Sequence, residues 1–179
     1  MPESKIKRVI APAIIAMLIA MTSTTLMTGA FAIAPETTTR SGGLHFVGEP
    51  TLTVDKTDGA TLTATGEVAG AGTGAGTATL EADVSATVGC ITPSGSNEPS
   101  GLEEVETTVT ATAPFTPTRQ GRGEFEVTTE PISIEDFDFE CPSERMTETL
   151  VGAITFSDIT LTIEAQTGTI TATFADQDP

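Results

Sequence analysis

Between residues 77 and 90 the chain alternates without a break. Ala78, Leu80, Ala82, Val84, Ala86, Val88 and Cys90 share one parity, and Thr77, Thr79, Glu81, Asp83, Ser85 and Thr87 share the other. A repeat of two places the first set on one face of a β-strand and the second on the opposite face, whereas a helix would scatter both sets around its axis. A long strand that is apolar on one side only needs a second layer to cover that side. The segment therefore demands β-structure with one wet face and one buried face.

Weaker copies of the pattern fill the rest of the chain. Phe46, Leu52 and Val54 keep one parity, and Asp58-Gly59 marks a hairpin leading into residues 61–68. After the loop at 93–101, residues 105–113 predict a strand burying Val109, Ala111 and Ala113. Phe125 and Val127 mark the next, beyond the turn at 120–123. Two further strands are predicted at 149–156 and 159–165, burying Leu150, Ile154 and Phe156, then Ile159, Leu161 and Ile163. A turn at Thr167-Gly168 precedes a last strand at 169–174, with Ile170, Ala172 and Phe174 inside. Threonine makes up about a fifth of the chain, which suits pleated, half-buried strands. No segment beyond the N-terminus shows helical periodicity. The pattern predicts an all-β fold, a two-sheet antiparallel sandwich of the Ig-like or Greek-key type. With no tryptophan to pack on a core disulfide, a true immunoglobulin domain is not indicated.

The N-terminus reads differently. Lys5, Lys7 and Arg8 precede an apolar stretch from Val9, followed by a Thr/Ser-rich segment ending in Ala30-Phe31-Ala32. That order is the signature of a secretory signal peptide, with Ala30 and Ala32 at the cleavage site and Ile33 as the new N-terminus. The rival reading is an anchor through residues 9–31 that leaves the β domain outside the cell. Pro12 and the polar run at Thr22–Thr25 argue against it. The organisation expected is a signal segment at 1–32, a disordered leader at 33–43 and the sandwich at 44–176. The mature chain is then secreted.

Charge narrows the partners. The chain carries 8 Lys+Arg and 25 Asp+Glu, and removing residues 1–32 leaves 5 and 24, a net charge of −19. Such a surface repels phosphate backbones and anionic lipid, so neither nucleic acid nor a membrane surface is an expected partner of the mature domain. Cations and basic proteins remain. Cys90 and Cys141 are the only cysteines, and in an oxidising compartment two such residues pair most simply with each other. The bond would stabilise the fold by roughly 4 kcal/mol in the chain-entropy model.

Candidate chemistry is sparse. His45 is the only histidine, lies between Leu44 and Phe46, and has no Gly-x-Ser-x-Gly partner motif, so it reads as an outward strand residue. Gly70-Ala-Gly-Thr-Gly-Ala-Gly76 lacks the Lys-Ser/Thr ending of a phosphate loop and reads as a flexible connection. The acidic run 135–140 would line Asp136, Asp138 and Glu140 along one strand face, with Phe137, Phe139 and Cys141 on the other. Oxygen ligands suit calcium, but strand spacing sets alternate residues about 7 Å apart, so a solvated acidic face competes with a calcium site. With no Trp or Tyr to stack a sugar ring, carboxylate pairing for glycoside hydrolysis has no platform. The many Thr-x-Thr repeats read as ordinary cross-strand contacts rather than a flat ice-binding array. Exposed Thr and Ser can also carry O-linked sugar.

Several segments carry a resemblance. These are Leu44-His-Phe-Val-Gly-Glu-Pro-Thr51, Leu62-Thr-Ala-Thr-Gly-Glu-Val-Ala-Gly70, Thr77-Ala-Thr-Leu80, Glu124-Phe-Glu-Val-Thr-Thr-Glu130, Cys141-Pro142 and Ile154-Thr-Phe156. In them the chain resembles a group of small secreted hypothetical proteins of soil bacteria and some archaea. The resemblance implies a signal peptide, a β-sandwich and a Cys90–Cys141 pair, and it carries over no catalytic residue. Where that group has an Asn-Pro-Gly-Gly-like loop after the first cysteine, this chain has Ile91-Thr92-Pro93. The functional expectation is an exported, non-enzymatic structural or interaction module with a protein or cell-surface partner. The alternative is a calcium- or cation-binding secreted protein using residues 135–140.

Overall fold

The computed structural model describes residues 32–56, 59–93 and 99–177. The signal segment up to residue 31, including Ala30, lies outside the described residues, as does Asp58 of the predicted hairpin. Among the described residues ten strands form two antiparallel sheets packed face to face, the predicted sandwich. They are β1 (Ala32–Ile33), β2 (Thr37–Arg40), β3 (His45–Phe46), β4 (Thr51–Asp55), β5 (Thr61–Ala69), β6 (Gly76–Ile91), β7 (Ser100–Phe115), β8 (Gly123–Thr128), β9 (Thr147–Ala165) and β10 (Gly168–Thr173).

In the first sheet β5 is central. It pairs with β4 over 61–65 and with β3 at 68–69, while β8 spans 63–68 and so occupies its other edge. β1 adds to the outside of β4. The second sheet runs β2-β10-β9-β6-β7. The alternation read at 77–90 holds along β6, where every even position from Ala78 to Cys90 is buried. Leu62, Ala64 and Val68 of β5, Phe125 and Val127 of β8, and Leu161, Ile163 and Ile170 of β9 and β10 join them in one core.

Small residues opposite rings set the local fit. On β5 the inward Gly66 faces Phe125 of β8, and a Cβ there would lie 2.8 Å from the Phe125 ring. Phe115, at the end of β7, fills the space over both Gly76 of the second sheet and Gly123 of the first. Those two glycines let one ring bridge the layers where the chain crosses from β7 to β8.

Two expectations about the strands need correction. Residues 33–43, read as a disordered leader, supply Ile33 to β1 and all of β2, so the chain straps one sheet to the other before β3 begins. Thr37–Arg40 shows no alternation because all four side chains are exposed; the strand is held through its backbone to β10. The ordered domain accordingly begins before residue 44. The strands predicted at 149–156 and 159–165 are one, β9, whose register with β6 shifts between residues 151 and 155 and again, at a bulge, between 157 and 160. Thr160 opposes Glu81 while Ser157 opposes Asp83, so Asp158 and Ile159 together face Ala82. Asp158 takes φ +49, the only non-glycine in the left-handed region among the described residues.

Candidate functional site

Cys90 and Cys141 form the expected disulfide, with S–S 2.07 Å and Cα–Cα 5.9 Å. Cys90 sits buried at the end of β6, and the bond ties the long connection between β8 and β9 to the second sheet. His45 opens β3, is exposed, and has Nδ1 3.1 Å from the Gly43 carbonyl. It lines an open cleft of about 490 Å³ between the sheets with Glu36, Thr37, Arg40 and Glu49.

The glycine-rich link at 70–76 is a held crossover rather than a loose one. Ala71 is fully buried, its N–H donates to Gly121 O at 3.0 Å, and the Thr167 hydroxyl donates to Gly70 O. Gly70 and Gly72 adopt φ +76 and +79, so the glycines serve the tight path between sheets.

The acidic segment, expected as a strand, is not one. Ile134–Asp136 form a 3-10 turn, and Asp136 Oδ2 accepts from Ser133 N at 2.6 Å and from Ser133 Oγ at 3.0 Å. The carboxylate read as a calcium ligand therefore caps its own turn. Asp138 and Glu140 do not converge on it; among the described residues no group of three His, Cys, Asp or Glu could hold a metal ion. Ser133, three residues before Asp136, was the signal for the cap. Phe137 is buried, as its parity with Cys141 indicated.

What the sequence left invisible is the edge of the second sheet. β7 runs 16 residues and pairs with β6 alone; among the described residues no backbone–backbone hydrogen bond joins it to anything else. Pro114 fixes which amides point outward. A proline has no N–H to give a ladder, so within a strand it sits where the amide faces away from its neighbour. Its register with Thr77 is unbroken from residue 103 to 115, so Glu104, Glu106, Thr108, Thr110 and Thr112, of the same parity, also turn their amides to the open side. Their side chains form the outer face, and Thr108 donates to Asp83 at 2.7 Å. On the inner face Val109, Ala111 and Ala113 are only partly buried, because no strand lies beyond them.

The outer face of this sheet carries a row of five threonines, one per strand: Thr112, Thr79, Thr162, Thr171 and Thr39. Neighbouring hydroxyls meet, as with Thr37 and Thr173 at 2.5 Å. The first sheet has the same contacts, Thr51 to Thr65 at 2.9 Å and Thr63 to Thr128 at 3.0 Å.

No known protein family, curated protein or solved structure matches this chain. Among the described residues no helix is long and apolar enough to cross a membrane.

Proposed function

We propose that the chain is an exported, non-enzymatic module that works by binding, and that it binds through an open sheet edge. The observation that carries this reading is β7, a long strand with one ladder of backbone groups unpaired. An open edge is a template for an added strand, and domains that do not use one usually cover or shorten it. A disulfide between buried Cys90 and half-buried Cys141 fits an oxidising compartment outside the cytosol. The calcium alternative has less support, because Asp136 accepts from Ser133 and caps its own turn.

Native mass spectrometry of protein recovered from the culture medium tests the reading. The expected species starts at Ile33, is two hydrogens lighter than the dithiol form, and carries a partner that Thr110→Pro removes while melting as wild type does. Full-length chain held in the membrane fraction would instead favour an anchor with the β domain outside. A partner retained by the Thr110→Pro protein would overturn edge binding.

A further inference from the structure

The second sheet is electrostatically one-sided. β6, β7, β9 and β10 contain no Lys or Arg, and Arg40, on β2 at the far edge, is the sheet's one cation. The same strands hold Glu81, Asp83, Glu103, Glu104, Glu106, Glu148, Asp158 and Glu164. Glu104 and Glu106 stand on the outer face of β7 itself, and Asp83 and Glu81 stand one strand behind them on the same face. A strand added to β7 would place alternate side chains directly across from Glu104 and Glu106, where an opposite charge stabilises and a like charge repels. Its other side chains would fall over Val109, Ala111 and Ala113, the apolar row that β7 leaves half covered.

We infer that the occupant of the β7 edge is an extended cationic segment, with Lys or Arg at every second position on the outside and small apolar residues between them. The inference rests on strand addition at that edge, as proposed above. A second copy of this chain is the obvious competitor, since β7 runs antiparallel to itself across a two-fold axis. Charge decides against it: a second β7 would bring its own Glu103, Glu104 and Glu106, and no cation, to a domain already at −19. Pro114 at one end and the glutamates at the other flank 107–113, Thr-Thr-Val-Thr-Ala-Thr-Ala, the uncharged stretch that a like strand would otherwise join. Those flanking residues are the devices that keep a β-prone segment from joining its like.

Labelled peptides of alternating Lys-Val, Ser-Val and Glu-Val, titrated into the mature protein at low salt, test this. Lys-Val should bind roughly fivefold to tenfold more tightly than Ser-Val, with Glu-Val weakest. Raising salt to about 0.5 M, where the screening length falls to about 4 Å, should erase most of that preference. Thr110→Pro removes one outward N–H without touching the β6 ladder and should lose all three peptides. The double variant Glu104→Lys, Glu106→Lys should exchange Lys-Val for Glu-Val as the preferred peptide. In the wild-type protein, hydrogen exchange at the Thr108, Thr110 and Thr112 amides should slow when Lys-Val binds, a readout independent of any variant's folding. Equal binding of Lys-Val and Ser-Val, both lost in Thr110→Pro, would overturn the cationic partner and leave edge binding standing. Lys-Val binding without slowed exchange at those amides would overturn both. A wild-type dimer that Thr110→Pro dissolves would put a second copy on the edge and overturn the cationic assignment.

Discussion

Thr129 is the one buried polar side chain among the described residues, and its place shows how closely the core is satisfied. It follows β8, and its hydroxyl accepts from the Leu62 N–H at 2.9 Å while its own N–H donates to Leu62 O at 2.9 Å. Thr129→Val keeps the shape and removes the acceptor, stranding a buried N–H, so a loss of about 1–3 kcal/mol is expected in denaturant unfolding. Gly66 poses the opposite problem. Its missing side chain is the space that Phe125 fills, so Gly66→Ala forces the ring aside and should cost about 1–3 kcal/mol. Gly48, at φ +78 with open space on the side where a Cβ would stand, separates the two effects, since Gly48→Ala would act through backbone strain alone. Removing both cysteines opens the covalent loop between positions 51 residues apart, and a loss of about 4 kcal/mol is expected from chain entropy. Comparable unfolding curves with and without reductant would contradict that value.

At the scale of elements, the clearest test is the bulge in β9. Phe156 and Ile159 both point into the core although their parities differ, and the extra residue Asp158 is what reconciles them. Deleting Asp158 would flip either the segment before it or Ile159, Leu161 and Ile163 after it out of the core. The expected outcome is a protein without a cooperative unfolding transition, whereas Asp158→Gly should be neutral or stabilising by up to about 1 kcal/mol. Circular dichroism melts of the two variants check the contrast. The parity switch is legible in the sequence as two predicted strands, but only pairing with β6 reveals that they are one. The buried alternation of β6, β8 and β10 is legible for the same reason, since one wet face and one dry face leave a period-two trace. β2 leaves none because neither of its faces is buried. The acidic segment misleads because Asp136 and Asp138 match strand parity, while the local Ser133–Asp136 cap is the stronger signal. The open edge of β7 is beyond the reach of sequence, since order within a sheet is set by contacts between residues distant along the chain. Nothing within residues 100–115 distinguishes an edge strand except Pro114 and the glutamates, and those acquire meaning only once β6 is known to lie on the other side.

For the whole molecule, charge is the term that composition and structure both impose. Among the described residues an ion pair is seen from Arg122 to Glu67 at 2.9 Å, against a net charge of −19 over residues 33–179. Other acids stand on the outer faces of both sheets, Glu81 and Asp83 on the second and Glu126 on the first, where Glu124 also lies opposite the paired Glu67. Self-repulsion of that kind destabilises the compact state and is relieved by screening. The melting temperature should therefore rise as sodium chloride increases from low ionic strength, and levelling off within the first few tenths molar would match a screening origin. Divalent ions separate screening from binding. Calcium and magnesium at the same concentration screen alike, whereas a coordinated site distinguishes them by size and ligand number. Equal shifts from both ions are expected here, because the carboxylates of 135–140 do not converge and Asp136 is held by Ser133. A shift specific to calcium, abolished by Asp136→Asn with Asp138→Asn, would show that the turn opens to take the metal and would move the acidic segment from surface to site. Without it, the negative charge that would repel a second β7 is what, on the proposed reading, would draw a cationic strand to the long edge left open among the described residues.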